Sequence, residues 1–310
     1  MTYIEIPRKS LFFALMLLAF SSSADILHFS FEPGENPSEF TGPFGGLSHP
    51  DPSINTLPSI STEKALSGTS SLKSYLHIYD SPKPFRSQAL LSRTQYPLDF
   101  SRGAETESYW VGFAVWIPEW FPRRDPVGKL EDIFFDFHTS PAPGDPWGTC
   151  SGAQPFNLKF YQETPTTGYV KLDIQANVDH STCEIAMPPR NYMVNQRNIG
   201  AYRTGEWNSF VINIRFDPVY GFAKVWINGK LGIDYDGPVY HYGVGNPYPI
   251  WGNYLDWWER ITNDPAIFER TLYYDEIRIA TGEESSYDSV APKLPSGTEL
   301  SAPINLRISD

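Results

Sequence analysis

YWVGFAVWI, residues 109–117, is apolar almost throughout, and DIFFDFH, residues 132–138, alternates phenylalanine with aspartate and histidine toward its end. A strand covered on both faces reads as a continuous apolar run, whereas a strand with one buried face alternates with a period of two. The first segment is therefore predicted as an inner sheet strand. The second is predicted as a strand with an aromatic core face and a polar face that carries Asp136 and His138. Between them IPEWFP, residues 117–122, reads as an amphipathic loop that displays Trp120.

Outward from this pair the chain continues in short strands. FNLKFY (156–161) sets Asn157 and Lys159 opposite a core face, and VKLDIQA (170–176) does the same with Lys171, Asp173 and Gln175. Such polar faces either line a cleft or meet solvent. WNSFVINIRF (207–216) is another alternating strand, and AKVWI (223–227) runs into Asn228-Gly229, the dipeptide that favours a two-residue hairpin turn because both central residues need positive φ. TLYYDEIRI (271–279) reads as a closing strand, and ILHFSF (26–31), SSLKSYLH (70–77) and residues 87–91 as earlier ones. Residues 253–268 are predicted as the single appreciable helix or an irregular loop. Residues 284–310 read as a tail or linker, with 302–310 able to add an edge strand.

Many short strands, little helix and no βαβ alternation indicate an all-β domain over residues 25–283, two antiparallel sheets packed as a sandwich, with a jelly roll favoured. The 310 residues include 28 Pro and 23 Gly, which suits many turns, and 15% aromatic residues, enough for a large core. Arg8 and Lys9, the apolar run 11–20 and the small residues 21–24 form the three parts of a secretory signal peptide. A secreted or periplasmic protein without a membrane span is expected, and a monomer. An oxidising compartment permits a disulfide between Cys150 and Cys183, the two cysteines of the chain. The net charge of -12 disfavours nucleic acid as a partner and argues against a densely sulfated polyanion unless the cleft is locally basic.

On these residues the chain resembles the jelly-roll polysaccharide lyases related to heparin lyase I and glucuronan lyase, which share a concanavalin-like sandwich. Residues 110–118 resemble the family's strand leading into an exposed loop, and residues 132–138 its strand ending in the catalytic histidine. Residues 224–230 and 272–278 resemble its late hairpin and closing strand. Residues 86–88 (RSQ) stand at a polar strand of such enzymes, and YPIWGNY (248–254) resembles the segment that supplies their tyrosine. Two positions depart from the pattern: Ile250 replaces a lysine, and Asp136 stands where a glutamine often precedes the histidine by two residues.

The resemblance implies β-elimination at a uronic acid residue of an anionic polysaccharide. Removing the proton beside a carboxylate builds charge on a group that is already anionic, so that carboxylate must first be neutralised. The resemblance assigns this to Gln88 or Arg86, and the acid-base work to His138 and Tyr254. Histidine titrates at about 6.5 and tyrosine at about 10, which suits His138 as base and Tyr254 as acid, with the exchange of roles left open. Asn157, Lys159, Gln175, Trp120 and Tyr248 are candidate substrate contacts, as are His241 and Tyr242 in a loop after the hairpin. No cofactor is required, although such folds accommodate a structural calcium, for which Asp275 would offer oxygens.

Two other functions fit the same fold. A noncatalytic lectin-like module would keep the aromatic residues and need no acid-base trio. A glycoside hydrolase would need paired carboxylates, and EDIFFD (131–136) lacks the spacing familiar for that fold.

Overall fold

In β5 (Tyr109–Ile117), Val111, Phe113, Val115 and Ile117 enter the main core, while Trp110, Ala114 and Trp116 join smaller clusters on the opposite side. The strand is continuously apolar because both of its faces are covered. The computed structural model describes residues 25–35, 58–77, 86–90, 108–119, 132–139, 154–162, 164–176, 178–179, 184–185, 192–240, 247–255, 269–282 and 285–295.

The other strands are β1 (Asp25–Phe29), β2 (Ser59–Ser61), β3 (Ser71–His77), β4 (Arg86–Leu90), β6 (Asp132–Thr139), β7 (Phe156–Gln162), β8 (Thr167–Ala176), β9 (Val178–Asp179), β10 (Glu184–Ile185), β11 (Tyr192–Arg203), β12 (Glu206–Arg215), β13 (Phe222–Ile227), β14 (Lys230–Asp236), β15 (Pro247–Tyr254) and β16 (Glu269–Thr281). One sheet runs β14-β13-β12-β5-β16-β3-β2, with β1 also paired to β16. The other runs β11-β8-β7-β6-β15-β4, and β9 and β10 form a small ribbon. The pairings of both sheets are antiparallel. The predicted all-β sandwich is the observed one.

Phenylalanines from both sheets meet in the middle. Phe113 of β5 stacks on Phe135 of β6 with ring centres 5.0 Å apart, and Phe134 of β6 lies parallel to Phe160 of β7 at 3.7 Å. Large aromatic side chains bury the most apolar area per residue, and the area removed from water drives the sheets together. Polar contacts also cross between the layers. The Tyr274 hydroxyl donates to the Phe134 carbonyl at 2.7 Å, Arg270 Nε pairs with Asp132 at 2.9 Å, and the Asn253 amide donates to the Ser74 hydroxyl at 3.0 Å.

The Asn-Gly hairpin forms as predicted between β13 and β14. Asn228 and Gly229 both adopt positive φ, 50° and 78°, and Asn228 Oδ1 accepts the Ser209 amide N–H of β12 at 2.8 Å. Residues 253 and 254, placed by sequence in a helix or loop, instead finish β15. The described helix, α1 (Tyr287–Val290), falls in the segment that reads as a tail. It docks on the outer side of β5, where Val290 is fully buried and Tyr287 packs edge-on to Trp226. Residues 1–24, 256–268 and 302–310, together with Cys150 and Cys183, lie outside the described residues.

Candidate functional site

A bulge in β6 sets the site. Against β7, Ile133 pairs with Lys159 and Phe135 with Leu158, so one extra residue is absorbed between them. Phe134 and Phe135 both enter the core as a result. Period-two alternation then sends Phe137 inward and turns Asp136 and His138 to the face away from the core.

On that face antiparallel pairing aligns residues in transverse rows. Tyr248 of β15 is in register with His138, their ring centres 6.0 Å apart and their planes 26° from parallel. In the next row Ile250, Asp136, Asn157 and Asp173 stand side by side on β15, β6, β7 and β8. This face is not open sheet surface. Asp136, Asn157 and Asp173 are 0%, 2% and 5% exposed. Buried polar groups are costly unless hydrogen-bonded, yet one carbonyl or carboxylate oxygen each of Asn157 and Asp173 meets no hydrogen-bond donor among the described residues. A third row holds Tyr254, Ile133, Lys159 and Lys171. The Lys159 ammonium pairs with Asp173, and that of Lys171 lies 4.6 Å from the centre of the Tyr161 ring.

Of the sequence-derived candidates, His138, Tyr248, Asn157, Lys159 and Tyr254 thus share one face without all meeting at one point. His138 and Tyr248 adjoin. Gln175 donates its backbone N–H to Pro155, the residue that follows Gln154. Tyr254 is in register with Ile133, five residues before His138, which places it roughly 15 Å along the strand at about 3.3 Å per residue. Arg86 pairs with Tyr254 and Gln88 with Gly252, so these two positions belong to the Tyr254 end. Trp120, His241 and Tyr242 lie outside the described residues.

A described side chain within hydrogen-bond distance of His138 is one the sequence did not single out. Gln154, just before β7, places Nε2 3.0 Å from His138 Nε2 and 3.4 Å from Asp136 Oδ2. A carboxylate only accepts, so the amide group facing it is the NH2. The imidazole nitrogen on the same NH2 is then an acceptor, with the ring proton on Nδ1. Nothing in the spacing of residues 136, 138 and 154 announces this contact, because it depends on the register of two strands.

Asp132 does not pair with Asp136 as a hydrolase would require. The bulge turns it to the opposite face, where Arg270 holds it. Among the described residues no cluster of three or more His, Cys, Asp or Glu side chains is arranged to hold a metal. The Asp275 carboxylate accepts the backbone N–H groups of Leu66, Ser67 and Glu276 at 2.7, 3.1 and 2.7 Å. No helix of the described residues is long and apolar enough to cross a membrane.

The family described as "Polysaccharide lyase" matches residues 44–278, more than half of the chain. No curated protein matches it. Among solved structures, an endo-β-1,4-glucuronan lyase from the fungus Trichoderma reesei superposes with a TM-score of 0.55 at 17% identity, covering 75% of this chain and 88% of that one. An alginate lyase from Aplysia kurodai superposes with a TM-score of 0.41 at 13% identity, covering 73% of this chain and 87% of that one.

Proposed function

The chain belongs to the polysaccharide lyase family, and from that premise we propose that it cleaves a uronate-containing polysaccharide by β-elimination on the outer face of the six-stranded sheet. Elimination from a sugar polymer needs a C–H bond acidified by a neighbouring carboxyl group, and in a uronate that bond is C5–H. One structural neighbour, superposing with a TM-score of 0.55, is named for glucuronan, a polymer of this class. The observation that carries the proposal is the contact of His138 and Tyr248 beside a buried row of polar side chains, on a face the core does not use.

His138 takes the C5 proton, the electron pair forms the C4–C5 double bond, and the C4–O bond breaks. The leaving oxygen receives a proton from tyrosine. Both groups must reach one sugar residue, a condition that Tyr248 meets and that Tyr254, roughly 15 Å along the strand, does not. Tyr254 then belongs to the path of a neighbouring sugar. The composition of residues 1–24 supports action outside the cytoplasm.

The test is a panel of uronate polymers, glucuronan and alginate first, followed by the ultraviolet absorbance of the unsaturated product. Wild type should generate it and His138→Ala should not. Binding without absorbance on every polymer would replace the elimination with a noncatalytic carbohydrate-binding role.

A further inference from the structure

We infer that Gln154 is the residue that receives the uronate carboxylate. This rests on the elimination proposed above and supplies what that reaction needs before proton transfer, a hydrogen-bond donor on the carboxylate beside the reacting carbon. The donor must sit within a sugar's width of the base. Gln154 Nε2 is 3.0 Å from His138 Nε2, and its side chain is half-buried, so a ligand can reach it. Gln88 is in register with Gly252, four residues along β15 from the Tyr248 that faces His138, a separation of about 13 Å along the strand.

The same geometry gives the amide a second task. Without substrate its NH2 rests between Asp136 and the imidazole, donating to the lone pair that the reaction uses. A uronate carboxylate is a charged acceptor, and hydrogen bonds to charged acceptors are about twice as strong as neutral ones. It draws the amide off His138 Nε2, so the base is uncovered when an acidic sugar is seated. Asp136 remains as a negative neighbour that favours the imidazolium formed on proton transfer.

The experiment compares wild type, Gln154→Ala and the isosteric Gln154→Glu on a uronate polymer and on its methyl ester, whose carboxyl group is already neutral. On the free acid, Gln154→Ala should lower kcat/KM by about 10²–10³-fold, the loss seen when one donor to developing charge is removed. Gln154→Glu should fall further through like-charge repulsion. On the ester the loss from Gln154→Ala should be much smaller. A structural defect would lower both substrates alike, so equal losses, or no loss on the acid, overturn the assignment while leaving the elimination standing. A wild-type protein that forms no unsaturated product from any uronate polymer overturns both.

Discussion

Tyr248 and Tyr254 sit on one strand and one face, and the register of β15 with β6 sets them at different distances from His138. Tyr248→Phe should lower kcat by about 10²–10⁴-fold, the usual worth of a positioned acid or base, while Tyr254→Phe should act mainly on KM. Initial rates across substrate concentration decide this, and a larger kcat loss in Tyr254→Phe would reverse the assignment. The position of His138 on β6 was legible in the sequence because an alternating aromatic strand runs through it. The choice between tyrosines was not, since it turns on bulges in β6 and between Trp251 and Tyr254 that no residue pattern marks. Gln154 was illegible for a related reason: it lies 16 residues from His138 and reaches it across a strand boundary.

At the scale of elements, the β13–β14 hairpin and helix α1 are opposite cases. The hairpin announces itself through Asn228-Gly229, because few other residues accept two successive positive φ angles. Helix α1 has four residues and no periodicity to read. It holds its place by docking on Gly112, where a Cβ would stand 1.9 Å from the Val290 carbonyl oxygen. Gly112→Ala should therefore displace α1 and cost about 1–3 kcal/mol, as overpacking does. Urea unfolding measures the cost, and a change in tryptophan fluorescence should accompany it because Tyr287 packs on Trp226. An alanine variant as stable as wild type, with unchanged fluorescence, would contradict this docking.

Across the whole molecule, charged groups help to join the two sheets. Arg270, 3% exposed, and Asp132, 7% exposed, form a buried ion pair between β16 and β6. Asp132→Ala leaves a buried guanidinium without its carboxylate and should cost about 3–5 kcal/mol, whereas replacing both residues by apolar ones should cost less. A double replacement that costs the sum of the two single replacements would show that the pair is not coupled. Asp275 adds a dependence on pH. Burial raises its carboxyl from 3.8 to about 6, against the opposing pull of three backbone N–H donors. A carboxyl whose pKa rises on folding favours the folded state fully below its unfolded value, and that contribution is lost as pH climbs through the folded one. Asp275→Asn should be less stable overall, yet its stability should change less across about pH 4–7 in urea titrations. A profile parallel to that of wild type would remove Asp275 as the cause.

The contacts between Tyr274 and Phe134 and between Asn253 and Ser74 tie β6 and β15, the strands that carry His138 and Tyr248, to the opposite sheet. Amide protons exchange with solvent through local openings, and those in cross-tied, buried strands wait for the largest openings. In deuterated water the backbone amides of β6 and β15 should therefore be among the last to exchange, well after those of the β13–β14 turn and α1. The floor of the site would then stay fixed while peripheral elements breathe, and discrimination between sugars would depend on a surface that does not reshape itself around each one.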